Sequence, residues 1–166
     1  MLPTNPDFRD LFFEFDARSV RYLVVGAYAV THYSRPRFTK DLDVWIDPAP
    51  GNARRTWDAL GAYGAPIRDI APADLSKPGN VLQIGVTTTR IDILTSIAGL
   101  VFDECWPRRT TGEYMDVRVN YVARADLIRN KKAVGRPQDL LDVEALEKAR
   151  RKRVSRPRRS PPRRRT

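Results

Sequence analysis

Asp41 and Asp43 stand one residue apart in "TKDLDVWID" (39–47), a stretch of alternating character that reads as a β-strand. Side chains on a strand alternate faces, so Asp41, Asp43 and Trp45 share one face and Leu42, Val44 and Ile46 the other. The strand rise puts the two carboxylates about 6–7 Å apart at their Cα atoms. That spacing suits the bracketing of one divalent cation or two neighbouring ones. Hard oxygen donors select Mg2+ or Mn2+. Like charges this close also repel, so something positive must compensate them. A third carboxylate, Asp92, sits between isoleucines in "TRIDILT" (89–95). If that strand lies beside 41–47, Asp92 converges on the same site. The alternatives for Asp92 are a salt bridge to Arg90 or a wet strand end.

Other residues lend weaker signals. Gly26 in "VVGAYAV" (24–30) marks a strand-to-helix turn, where backbone N–H groups can approach a phosphate. His32, the sole histidine, reads as structural rather than as a base, and Trp45 as core rather than a stacking platform for a base.

The elements that position these groups follow from periodicity and punctuation. Apolar residues at 8, 11, 12 and 15 predict a helix within 5–20, capped by Asn5 with Pro6 at its first position. A short buried strand follows, then a short helix over 27–34 after Gly26. Strand 41–47 leads through a Pro-Gly turn to a helix over 52–64 ending on glycine. Residues 65–80 read as loop, 81–96 as two strands joined by a Thr-rich turn near 87–89, and 97–106 as a short helix. One or two strands over 112–123 precede helices over 124–135 and 137–152. The fold class is α+β: a small mixed sheet flanked by helices.

The chain of 166 residues suits one domain, and no apolar run approaches the ~20 residues of a membrane span. The N-terminus shows no pattern of a secretory leader. One cysteine, Cys105, excludes an internal disulfide and a cysteine-built zinc site, so a cytoplasmic protein is expected. The net charge of +10 is localised. Residues 148–166 hold eleven Lys and Arg and no acid, leaving nineteen basic against twenty acidic residues in 1–147. The expected organisation is a domain over 1–147 and a disordered Arg-rich tail over 148–166. The tail is either a nonspecific holder of RNA through its phosphates or a solvated extension without a partner.

Three stretches taken together, 24–47, 90–95 and "DLIRNKKAVGRPQDLLDVEAL" (126–146), resemble the minimal nucleotidyltransferases of the DNA-polymerase-β-like superfamily, and within it the AbiEii-type toxin group. The resemblance covers roughly residues 22–147. It implies a nucleotidyltransferase-like fold and two-metal transfer of NMP from an NTP to a hydroxyl on RNA, a protein or a small molecule. It also implies a toxin–antitoxin role with a cognate antitoxin. Asp41, Asp43 and Asp92 would be the catalytic and metal-holding acids, with Asp92 the base. Gly26 and Ala27 would approach the nucleotide phosphates, and Lys131 and Arg136 could reach the triphosphate. The plainer reading of both Lys131 and Arg136 is surface pairing with Asp139 and Asp142. Ala27 departs from the family's Gly or Ser and offers only its backbone N–H, which shifts phosphate binding toward Lys40 and Thr39. Arg37 and Lys40 could also offset the carboxylates. Two further readings stand beside this one. One is a non-catalytic nucleic-acid-binding protein on a degenerate fold of this kind. The other is an antibiotic-type transferase, for whose usual second helical domain this chain has little room.

Overall fold

Asn5 opens the first helix, α1 (Pro6–Ala17), by accepting the Asp7 amide at 2.9 Å, with Pro6 where an amide hydrogen would have no helical partner. The computed structural model describes residues 4–86 and 89–154. Strand β1 (Tyr22–Val25), buried throughout, runs into α2 (Gly26–Tyr33). Then come β2 (Asp41–Ile46) and α3 (Pro50–Tyr63), which ends on the left-handed Gly64. A 3-10 turn interrupts the following loop before β3 (Val81–Val86) and β4 (Thr89–Leu94). The helix expected over 97–106 shrinks to α4 (Phe102–Cys105), continued by a 3-10 turn at Pro107. Two strands, β5 (Thr110–Tyr114) and β6 (Val117–Tyr121), precede α5 (Arg124–Val134) and α6 (Pro137–Val154).

The strands form one mixed sheet in the order β3-β4-β2-β1-β6-β5. β2 is its pivot: antiparallel to β1, with Val25 opposite Asp43, and parallel to β4, with Asp43 opposite Asp92. The condition set for Asp92 in the sequence is therefore met. Helices cover the sheet, α1 packing on α3, and α2 on β2, α5 and α6. Phe8, Phe12 and Phe15 of α1 enter the core, where the Phe12 ring stacks on Tyr22 at 5.9 Å.

Trp45 shares the acidic face of β2 yet is 1% exposed, its ring edge-on to Phe102 at 5.0 Å. It belongs to the core, as the sequence suggested. The boundary drawn at 147 falls inside α6, which carries the first basic residues of the tail. Residues 155–166 and the centre of the Thr-rich turn lie outside the described residues. Among the described residues no helix is long and apolar enough to cross a membrane.

Candidate active site

Parallel pairing of β2 with β4 sets Asp41 beside Arg90 and Asp43 beside Asp92, all on one face of the sheet. They line a cavity of about 450 Å3 together with Gly26, Ala27, Arg37, Thr39, Lys131, Arg136 and Asp139. Hydrophobic burial of Leu42, Val44, Ile91 and Ile93 on the opposite face fixes this register, because a one-residue slip would turn the carboxylates into the core.

Gly26 is required at its position. Its φ is +65°, and a Cβ built on it would overlap the Asp43 carboxylate. The turn thus brings the start of α2 directly against Asp43. The N-cap of α2, Val25, supplies no side-chain hydrogen bond, so the first amides of the helix are left to the cavity. Ala27, the departure from the family pattern, lies in that first turn and lines the cavity.

Electrostatics sets the three acids apart. Burial, then the charges of Asp92 and Asp41, push the Asp43 carboxyl up from 3.8 to about 6, with Lys131 and Arg90 only partly offsetting them. Among the described residues Asp43 has no ion pair, whereas both neighbours share Arg90. The Arg90 guanidinium stands 3.0 Å from Asp92 Oδ1 and 3.4 Å from Asp41 Oδ2. The salt bridge considered for Asp92 is therefore present, and it extends to Asp41.

A second network lies on α5 and α6. Lys131 is 7% exposed, and its Nζ stands 3.1 Å from both Asp139 Oδ1 and Asp142 Oδ2. Arg37 donates to both oxygens of Asp142, at 2.9 and 2.7 Å, and Arg136 to Asp139 at 2.8 Å. The Asp139 carboxyl is held low: burial would raise it, but hydrogen bonds from Arg136 and Lys131 outweigh that. Three cations around two buried acids leave one positive charge in excess facing the cavity. Lys131 is mainly the counter-ion of that pair, and the pairing suggested for Arg136 is found with Asp139. The Arg136 side chain is 72% exposed at the cavity rim, and so the more accessible of the two cations.

Lys40 does not join them. It is exposed and absent from the cavity wall, because alternation at the start of β2 turns it away while Thr39 and Asp41 face in. The Thr39 hydroxyl donates to the Asp41 carbonyl at 3.2 Å. His32 sits at the far end of α2, its ring stacked on Tyr121 at 3.9 Å, and does not line the cavity. Ser96 and Asn130, also in the wall, were not singled out in the sequence, although Asn130 lies beside Lys131 in the stretch 126–146.

Among the described residues no three carboxylate, imidazole or thiol groups are drawn close enough to hold one ion as the side chains stand. The donor set nonetheless fits a hard divalent cation. Three carboxylates face one cavity, Asp43 and Asp92 of them in register, and the unpaired Asp43 has a proton affinity raised by burial and then by its neighbours' charge. What stands among them is the Arg90 guanidinium.

No family model matches the sequence, and no curated protein does. Solved structures do match. A lincosamide antibiotic adenylyltransferase, LnuA, solved with lincomycin bound, aligns with a TM-score of 0.58 at 12% identity, over 90% of this chain and 99% of its own. A Thermotoga maritima protein described as a nucleotidyltransferase aligns at 0.52 and 15%, over 93% and 98%. The antibiotic-resistance factor ANT(2'')-Ia aligns at 0.51 and 14%, over 90% and 92%. The chain has the nucleotidyltransferase fold. The alignment spans the lincosamide adenylyltransferase nearly end to end, so an antibiotic-type transferase of about this length exists, and the little room for a second helical domain does not set the chain apart from it.

Proposed function

We propose that the protein is a nucleotidyltransferase dependent on Mg2+ or Mn2+, moving NMP from an NTP to the hydroxyl of a small organic acceptor. One observation carries the reading: Asp43 lies in register with Asp92 and against a glycine that has no room for a side chain. Asp41 and Asp43 would hold the cation that carries the nucleotide phosphates, and Asp92 would complete the set. The bound metal would supply Lewis-acid stabilisation of charge at the α-phosphate. The acceptor oxygen bonds to the α-phosphorus, the bond to the β-phosphate oxygen breaks, and pyrophosphate leaves. Asp92 takes the acceptor's proton. The amides of Gly26 and Ala27 and the Arg136 guanidinium face the phosphates.

A small acceptor is favoured by a second cavity. A groove of about 940 Å3, large enough for a drug-sized molecule, opens between the C-terminal end of α2 and α6. Its wall mixes Val30, Tyr33, Leu141 and Ala145 with Gln138 and Glu144, and Arg37 lines both it and the acidic cavity.

Each α-32P NTP, incubated with Mg2+ and separate small-molecule, RNA and protein fractions, tests the reading. Label should enter the small-molecule fraction with wild type and not with Asp43→Asn. Label in RNA or protein would favour the toxin reading, with an antitoxin as partner and the basic 148–166 segment holding RNA. RNA binding without any NTP binding would leave the non-catalytic alternative.

A further inference from the structure

Arg90 occupies the place where the carboxylates would have to meet. Its NH2 group lies 3.4 Å from Asp41 Oδ2 and 3.3 Å from Asp92 Oδ2, bridging two strands. Its Nε is 3.0 Å from Asp92 Oδ1, yet neither buried atom has a hydrogen-bond partner, so the contact is electrostatic and poorly aligned. A misaligned pair is held less firmly than a bidentate fork. Arg90 also has room to leave. Its partner in register on β3 is Gly85, so no β3 side chain stands beside it at that position. The Arg90 side chain is already 39% exposed.

We infer that Arg90 is an internal counter-ion that keeps the metal-free site closed and makes cation entry depend on the nucleotide. The inference rests on Asp41, Asp43 and Asp92 being the cation site. While Arg90 bridges Asp41 and Asp92, a lone cation must displace a guanidinium whose ion pairs, among the described residues, are with those two acids. A triphosphate changes this balance, because its oxyanions give the released guanidinium a new partner as the cation arrives. Cation and nucleotide then bind with positive coupling, and part of that coupling resides in Arg90.

The test is Mn2+ binding, followed by electron paramagnetic resonance, to wild type, Arg90→Gln, Arg90→Lys and Asp43→Asn. It is run with and without a non-hydrolysable ATP analogue, with circular dichroism confirming the fold. Without nucleotide, Arg90→Gln should bind Mn2+ about two- to fivefold more tightly than wild type, the effect of removing one competing ion pair of ordinary strength. The analogue should tighten Mn2+ binding more in wild type than in Arg90→Gln, and Arg90→Lys should lie between them. If Arg90→Gln and wild type bind Mn2+ equally and Asp43→Asn does not bind it, the Arg90 inference is overturned while the cation site stands. If none of the proteins binds Mn2+ with or without the analogue, the cation site itself fails, and the inference with it.

Discussion

Replacing Asp43 with Asn should abolish nucleotidyl transfer and at the same time stabilise the metal-free protein at neutral pH. The native carboxyl keeps its proton up to about pH 6, whereas an ordinary aspartate loses it near 3.8. Between these values the native state binds more protons than the unfolded chain, so stability falls as pH rises through the window. Above it the penalty is complete. At 1.36 kcal/mol per pKa unit, the shift corresponds to at most about 3 kcal/mol, and partial solvent access brings the expected gain to about 1–3 kcal/mol. Asn is nearly isosteric and cannot ionise, so Asp43→Asn removes the penalty and still fits against Gly26. For a chain of this size a gain of that order raises Tm by about 2–10 °C. Urea and thermal unfolding in EDTA, from pH 4 to pH 8, would show it. Asp43→Asn should exceed wild type at pH 8 and match it near pH 4, and saturating Mn2+ should narrow the difference by stabilising only wild type. A variant no more stable than wild type at pH 8, or equally stabilised at pH 4, would refute this account of Asp43.

Gly26→Ala introduces a Cβ into the Asp43 carboxylate at a left-handed φ, a backbone cost of about 1–2 kcal/mol before the clash is counted. Both Tm and nucleotide binding should drop, the latter measurable by fluorescence of a nucleotide analogue. Lys131→Met leaves Asp139 and Asp142 buried with weaker compensation and should destabilise by about 3–5 kcal/mol in urea unfolding. Arg136→Ala removes an exposed partner of the same network and should cost under about 1 kcal/mol, while raising KM for the NTP. Lys40→Ala should leave both stability and KM within error of wild type, since its side chain faces away from the cavity.

Local signals made much of the fold legible. The Asn5–Pro6 start of α1, the glycine stops at 64 and 135, and the apolar alternation of 41–46 act within a few residues, so a one-dimensional reading captures them. The helix around 97–106 came out as one turn because Gly99 takes a left-handed φ of +76°, which no α-helix can run through, and Pro107 follows at the other end. At the site, the three acids and Gly26 could be singled out by type and spacing. The sequence alone determined that carboxylates at 41 and 43 share a face, because strand alternation is a property of the backbone. Only the tertiary structure decided what stands between them. The parallel register of β2 and β4 set Asp92 opposite Asp43 and put Arg90 against Asp41, forty-nine residues away along the chain. It also made the pairing of Lys131 with Asp139 and Asp142 a buried one, where the sequence offered a surface pair. A charged side chain's role depends on which opposite charge lies within a few ångströms in a poorly solvated cavity. Strand pairing and helix packing fix that distance, and residue order does not encode it.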